Sequence, residues 1–159
     1  MKQYHELLKD ILKKGIKRED RTDTGTISLF GHQSRYDLNE GFPLLTTKKM
    51  PFSLIVGELL WFLEGSTDER RLAEITYGRT RETLVNKKTI WTDNADVQGV
   101  QLGYINNNYE KRLGPIYGQQ WRRYSPDVSI GESIYGFVDQ IEIIVDQLKN
   151  DPYSRRIIL

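Results

Sequence analysis

The sequence predicts one domain with a mixed α/β (α+β) fold, and three observations support this prediction. Apolar residues recur at helical spacing in three separate segments. Shorter runs of β-branched and aromatic residues lie between them and are bounded by glycine, as is typical of strands. The 159 residues contain no internal repeat, low-complexity tract or linker-like segment, so we expect a single domain over residues 1–159.

The first part of the chain predicts a helix, a turn and a strand. The helix is followed by Gly15 as a C-cap, and the charged segment 13–21 predicts a solvated turn. Residues 27–30 then predict a strand that breaks at Gly31, and residues 41–49 predict a turn into a second extended segment. The apolar residues that indicate the helix are Tyr4, Leu7, Leu8, Ile11 and Leu12.

Two further helices are predicted in the rest of the chain. One begins at Pro51, a residue tolerated in the first helical turn, and ends at Gly65. The other stops at Asp151 and Pro152, since the residue before a proline disfavours helical angles. Its apolar residues are Phe137, Ile141, Ile144, Val145 and Leu148.

The remaining segments carry weaker signals. Residues 68–88 are polar and weakly patterned, and they predict a short helix and an exposed insertion. Glycine and asparagine in residues 102–124 predict loops and short strands. The β-branched residues at 157–159 predict the start of a strand.

Composition restricts the classes of function. A hydrophobic share of 38% and a charged share of 28% are typical of a soluble globular protein, and a formal net charge of +1 argues against general nucleic-acid binding. The absence of cysteine excludes disulfides, thiolate metal sites and cysteine nucleophiles within these residues. His5 and His32 have no partners at metal-ligand spacing, so no metal is expected.

Neither a signal peptide nor a membrane-spanning segment is expected. Charged and apolar residues alternate in the first 15 positions, and the longest apolar stretch, residues 54–63, is too short and too interrupted to cross a bilayer. A cytoplasmic location is therefore expected.

Glu58 is the first candidate for chemistry. At about 100° per residue, it projects about 120° away from the polar stripe of its predicted helix, among the apolar residues Leu54, Trp61 and Phe62. An unpaired carboxylate on an apolar face carries a desolvation cost. Glu58 therefore either pairs with a core arginine or backbone donors, or serves proton transfer in a cavity.

Two arginine-containing segments are candidates for anion binding. Arg21 opens a loop in which hydroxyls alternate with a small residue, and Gly25 permits unusual backbone angles there. Arg155 and Arg156 follow Ser154 and could grip a phosphate with it, although surface ion pairing is the commoner role. The residues alone thus indicate an anion-binding α/β domain with a buried acid.

Six motifs, in this order, resemble the thymidylate synthase family over essentially the whole chain. They are DRTDTGT, FPLLTTKK, GELLWFLEGST, TIW, LGPIYGQQWR and DPYSRRIIL. The resemblance implies a thymidylate synthase-type fold whose sheet packs against a second subunit. It also implies reductive methylation of dUMP to dTMP, with 5,10-methylenetetrahydrofolate as the carbon donor and reductant.

The resemblance also implies roles for individual residues. Arg21 matches the arginine that binds the dUMP phosphate, and Arg155 and Arg156 match the pair that reaches the phosphate in the partner subunit's site. Glu58 matches the glutamate that organises proton transfers, and Tyr117 matches a tyrosine associated with removal of the C5 proton.

Three further residues match the folate site of the family. Ile90 and Trp91 match positions that line the folate pocket, and Lys48 matches a contact of the folate's glutamate tail. From the residues alone, Trp91 and Tyr117 are ambiguous, since aromatic residues in such segments are more often core packing than ligand contacts. The chain differs from the usual family pattern at three positions, Asp23, Pro51 and Ser53.

In the family, the segment after SRRI leads to a proline-cysteine-histidine motif that carries the nucleophile, and the 159 residues contain no such motif. We therefore expect the N-terminal part of one thymidylate synthase domain, inactive by itself and acting with a homodimer partner or a complementing C-terminal fragment. An exon, a split gene or a disrupted reading frame would each produce such a chain. The alternatives are a pyrimidine-nucleotide hydroxymethylase of the same superfamily and a non-catalytic nucleotide-binding or assembly remnant.

Overall fold

The computed structural model describes residues 1–19, 24–124 and 136–159, and the chain divides into two compact units, Met1–Phe52 and Ser53–Leu159. In the first unit, helix α1 (Lys2–Lys14) is followed by strands β1 (Ile16–Arg18) and β2 (Thr26–Ser28). The two strands are antiparallel, with Lys17 opposite Ile27. The predicted helix is confirmed, and helices combined with a small sheet agree with the predicted mixed fold.

Two predictions for the first unit need correction. Residues 16–18 lie in a predicted turn but form β1, because a charged strand at an exposed sheet edge has no apolar pattern to reveal it. The predicted strand at residues 27–30 ends at Ser28, and Phe30 is fully exposed. The break at Gly31 is confirmed by its positive φ of 84°.

The second unit is mainly helical. Helix α2 (Phe52–Leu63) begins at the unit boundary and ends before Gly65, as predicted. The last helix, α6 (Gln140–Asn150), stops before Asp151 as predicted, but Phe137, expected among its apolar residues, precedes the helix and is exposed. A 3₁₀ turn, Arg81–Leu84, follows α3 (Glu69–Tyr77), and a π turn, Ala95–Gly99, follows α4 (Thr92–Asn94). The helices are α2 (Phe52–Leu63), α3 (Glu69–Tyr77), α4 (Thr92–Asn94), α5 (Tyr117–Arg122) and α6 (Gln140–Asn150).

The core of this unit combines apolar packing with a buried ion pair. Trp61, Leu72, Ala95 and Leu113 form the buried apolar cluster, and Phe62, Ile75, Trp91 and Ile116 pack against it. Beside it, α3 buries Glu69 and Arg70, whose side chains are 0% and 1% exposed. The short helix predicted within residues 68–88 is confirmed as α3, and most of residues 77–88 are exposed, in agreement with the predicted insertion. The sequence pattern does not indicate the burial of the charged residues at the start of α3, which can enter a core because they pair there.

Segment 102–124 is also more helical than predicted. Its last part forms α5, which approaches α2 so closely that a Cβ atom on Gly118 would lie 2.6 Å from the carbonyl oxygen of Phe62. The glycines of this segment thus include one required by helix packing, whereas the prediction took them as signs of loops and strands.

The residues after α6 form turns and not the predicted strand. Asp139 is the N-cap of helix α6, because its side chain accepts a hydrogen bond from the backbone N–H of Glu142, and the helix ends before Asp151. In the described ranges, residues 157–159 have no neighbouring strand with which to pair. A strand cannot form without a neighbour to satisfy its backbone groups.

Within the described ranges, no helix has the length and apolar character needed to cross a membrane.

Candidate functional site

Glu58 and Trp91 meet in the second unit. Helix α2 presents Glu58 toward Trp91, and the indole Nε1–H of Trp91 donates a 2.6 Å hydrogen bond to the Glu58 carboxylate. Glu58 is partly buried, which is less than its position on an apolar helix face predicts. The reason is that α2 itself remains partly uncovered, with Leu54 and Leu59 both exposed.

Aromatic rings connect this pair to Tyr117. The ring of Tyr117 lies 6.2 Å from that of Trp91 and 5.5 Å from that of Phe62, both in edge-on geometry. Phe62 in turn lies edge-on to Trp91 at 6.2 Å. The fold thus brings three of the predicted site residues, Glu58, Trp91 and Tyr117, into one group, with Phe62 as an additional member that the sequence did not reveal.

Part of this group is open to ligands. Tyr117 is 59% exposed and Ile90, next to Trp91, is 82% exposed. The group therefore offers a carboxylate, a phenol, and aromatic and aliphatic surface at one accessible place, which suits a planar, partly polar ligand.

A tight turn holds Trp91 in this position. The Thr92 hydroxyl accepts from the backbone N–H of Thr89 at 2.8 Å, and the Thr89 hydroxyl accepts from that of Trp91 at 3.2 Å. Both hydroxyls also donate to the Glu69 carboxylate, at 2.6 Å each. Sequence reasoning missed this contribution of Glu69, and the one available signal was a charged pair within one turn of Leu72 and Ala73 in the same helix.

Burial and hydrogen bonding act in opposite directions on Glu69. Burial raises the pKa of its carboxyl group, but hydrogen bonds from Arg70, Thr89 and Thr92 outweigh burial and hold the pKa below its ordinary value. Glu69 is therefore an ionised, fully satisfied acceptor inside the core.

Arg155 and Arg156 follow α6 in the chain. Both are exposed, and they border an open cavity of about 480 Å³ together with Asp151, Tyr153 and Ser154. The backbone N–H of Arg156 donates to the Ser154 hydroxyl at 3.3 Å. Among the described residues, neither guanidinium lies within ion-pair distance of a carboxylate, so the surface ion pair considered from the sequence is not formed there.

The other two predicted residues belong to the first unit. Lys48 is exposed. Arg21 lies outside the described residues, as does Asp23. Gly25, beyond them, has the positive φ of 75° that the loop prediction anticipates.

No metal centre is found in the part of the chain that the structure describes, where no three or more histidine, cysteine or acidic side chains group closely enough to hold an ion.

Comparison with known proteins gives a consistent result. The sequence model of the family described as thymidylate synthase matches residues 2–159. The chain is 43% identical to the thymidylate synthase of Enterobacteria phage T4 over 156 residues, which are 98% of this chain and 48% of that protein. It is 42% identical to the probable thymidylate synthase of Escherichia phage T5 over 156 residues, 98% of this chain and 49% of the relative.

Comparison of the fold with solved structures finds the same relative. The crystal structure of the T4 phage thymidylate synthase superposes with a TM-score of 0.76 at 43% identity, covering 99% of this chain and 48% of that one. The chain thus spans about half the length of the relatives it matches. With a family match over nearly all of its residues and a solved relative of the same fold, the chain belongs to the thymidylate synthase family.

Proposed function

We propose that this chain contributes to an enzyme that methylates dUMP to dTMP with 5,10-methylenetetrahydrofolate. The observation that carries the proposal is the grouping of Glu58, Trp91 and Tyr117, three residues that lie in the sequence motifs resembling the family. We further propose that the enzyme is cytoplasmic and acts without a metal.

The folate fits the group that the fold assembles. Trp91 and the exposed Ile90 offer flat and aliphatic surface for the pterin ring system, and Glu58 offers a carboxylate beside it. When bound, the folate supplies a one-carbon unit and a hydride. Glu58 holds and relays protons at the edge of the pyrimidine and folate, and Lys48, in the first unit, contacts the folate's glutamate tail.

The dUMP phosphate is the proposed ligand of three arginines. Arg21 binds it within its own subunit, and Arg155 and Arg156 reach it across a homodimer interface. Two observations support the assignment of Arg155 and Arg156. Both side chains are exposed, and among the described residues neither forms an ion pair, which leaves both charges available for an anion. Tyr117 assists the removal of the C5 proton, for which its exposed position beside Trp91 gives access to a ligand.

The nucleophile comes from polypeptide outside these 159 residues, because they contain no cysteine. We propose that a segment equivalent to the remaining half of the relatives provides it.

Co-expression with the second half of the T4 relative tests the proposal. The purified complex is expected to release tritium from dUMP labelled at C5 and to form dTMP when methylenetetrahydrofolate is supplied. A Glu58→Gln complex is expected to turn over about a hundredfold more slowly, the usual order of a lost proton-transfer group. A soluble complex that makes no dTMP would contradict the proposal, and a hydroxymethylated pyrimidine nucleotide as product would favour the hydroxymethylase alternative.

A further inference from the structure

The turn that carries Trp91 is attached to a buried ion pair on another helix. Glu69 lies at the start of α3, and one of its oxygens, Oε1, accepts from the hydroxyls of both Thr89 and Thr92 at 2.6 Å. These two threonines flank residues 90–91 on either side. One carboxylate oxygen therefore holds both ends of the turn.

The segment that leads into the turn is held by the same pair. Arg70 donates through Nη1 to the carbonyl oxygen of Leu84 at 3.0 Å and through Nη2 to that of Lys87 at 2.9 Å. Arg70 also binds the Glu69 carboxylate through Nε at 2.6 Å and through Nη2 at 2.7 Å. The position of residues 84–92 relative to α3 thus depends on two adjacent side chains.

Stability alone does not explain a charged pair at this place. Replacing a buried ion pair by well-packed apolar residues is often neutral or stabilising, because charges lose their hydration on burial. An apolar side chain could not, however, accept hydrogen bonds from two hydroxyls and an arginine at the same time. The arrangement therefore has a specific geometric effect, which is to fix the backbone and hydroxyls that surround Trp91.

We propose that Glu69 is a positioning residue of the site: through Thr89 and Thr92 it fixes the Trp91 indole on the Glu58 carboxylate. The catalytic consequence rests on the proposed function, whereas the positioning itself is a property of the folded chain. Among the described residues, the side-chain hydrogen bonds of Glu69 go to Arg70, Thr89 and Thr92, so its effect on Glu58 passes through this turn.

Solvent exchange of indole N–H protons, measured by NMR on the 159-residue chain, tests the proposal. The Trp91 indole donates to Glu58, and the fully buried Trp61 indole donates to the Asp68 carbonyl oxygen at 3.1 Å, so Trp61 reports on the core. A Glu58→Ala chain gives the exchange rate of Trp91 without its acceptor. A Trp91→Phe chain assigns the signal.

Two variants are expected to release Trp91 selectively. Glu69→Gln and Thr92→Val should each accelerate exchange of the Trp91 indole by about tenfold or more, toward the Glu58→Ala rate, as expected when a charge-assisted hydrogen bond is lost. The Trp61 rate should stay unchanged in Thr92→Val, whereas for Glu69→Gln, which also lowers the stability of the whole fold, only the Trp91 rate is compared with that of Glu58→Ala. Thr92→Ser keeps the hydroxyl and should keep the rate of the unmodified chain.

Glu64→Gln is the matched control, because it breaks an exposed Glu–Arg pair (2.7 Å to Arg71) away from the turn, and it should change neither rate. Equal acceleration of Trp61 and Trp91 in Thr92→Val would overturn the proposal, since it would mean general loosening of the core. An unchanged Trp91 rate in Thr92→Val would overturn it as well. If Glu69→Gln does not fold, the comparison of Thr92→Val with Thr92→Ser decides.

The measurement needs no substrate. A complex that forms no dTMP would therefore refute the proposed function and leave the positioning intact. An unchanged exchange rate of the Trp91 indole would refute the positioning and leave the proposed function intact.

Discussion

At the residue scale, the ionised state of Glu69 links the fold to pH. Its pKa in the folded chain lies below its ordinary value of 4.5, because the hydrogen bonds from Arg70, Thr89 and Thr92 outweigh burial, which acts in the opposite direction. A carboxyl group with a lowered folded-state pKa stabilises the fold at pH values above its unfolded pKa. This stabilisation is lost as the pH falls through the folded-state value.

Replacing Glu69 by glutamine is accordingly expected to destabilise the chain in a pH-dependent manner. Near pH 7 the free energy of unfolding should fall by about 3–5 kcal/mol, because Arg70 would remain buried without its counter-charge. The difference between the two chains should shrink once the pH drops below about 5, where the unmodified Glu69 begins to lose its own advantage. Urea unfolding at a series of pH values measures both quantities.

The exposed pair of Glu64 and Arg71 provides the comparison for this experiment. Glu64→Gln should change the free energy of unfolding by at most about 1 kcal/mol, as is usual for solvent-exposed ion pairs. If Glu69→Gln changed the free energy of unfolding as little as Glu64→Gln does at every pH, the result would contradict the expectation.

At the scale of elements, the contact between α5 and α2 depends on a missing side chain. A Cβ atom on Gly118 would lie 2.6 Å from the carbonyl oxygen of Phe62 and 2.8 Å from its Cα, both of which are backbone atoms. Backbone atoms within a helix cannot move aside without shifting the helix. Beside this contact, the ring centroids of Phe62 in α2 and Tyr117 in α5 lie 5.5 Å apart.

Gly118→Ala is therefore expected to lower the free energy of unfolding by about 1–3 kcal/mol, as overpacking of a core usually does. Gly57→Ala is the matched control in α2. The nearest atom to a Cβ there is the side-chain Oγ1 of Thr76 at 3.2 Å, which can adjust, and alanine favours a helix by up to about 1 kcal/mol over glycine. Thermal unfolding of both variants tests this, and equal destabilisation would contradict the assigned close approach.

The elements that could be predicted are those with a regular apolar pattern. Helices α1, α2 and α6 follow such patterns, and the position of Glu58 beside Trp91 agrees with the helical phase of α2. A short helix is predicted where α3 lies, but the burial of its first turn is not, because two of its four buried residues, Glu69 and Arg70, are charged. The hydrogen bonds that Thr89 and Thr92 donate to Glu69 span 20 and 23 residues, and no local pattern encodes such contacts.

At the scale of the whole molecule, helices α2 and α6 leave large apolar side chains exposed within the described ranges. The chain spans about half the length of its relatives, so a polypeptide equivalent to the other half is the expected cover for these faces. The exposed residues are Phe52, Leu54, Leu59, Leu60 and Leu63 in α2, and Ile143, Val145 and Leu148 in α6.

The 159-residue chain alone is expected to have no thymidylate-forming activity. Covalent catalysis of the proposed reaction requires an activated nucleophile, and these residues contain no cysteine. Tritium release from labelled dUMP in the presence of methylenetetrahydrofolate should therefore stay at background. Reproducible turnover by the pure chain would show that another group takes the part of the nucleophile.

The last prediction concerns Arg155 and Arg156, which we expect to serve the phosphate site of a second subunit. Each guanidinium can form charge-assisted hydrogen bonds to a phosphate, worth about 1.5–3 kcal/mol apiece, so Arg156→Glu should reduce activity of the complemented enzyme by more than about tenfold. Arg79→Glu, the same change at another exposed arginine, should leave activity nearly unchanged.

Mixing two inactive enzymes distinguishes a shared site from a local one. One carries Arg156→Glu, and the other has an intact Arg156 but lacks the cysteine of the complementing polypeptide. If the arginines act across the interface, half of the randomly mixed dimers contain one intact site out of two, and about a quarter of the full activity should return. If subunit exchange is demonstrated and no activity returns, Arg155 and Arg156 serve their own subunit or lie outside the site.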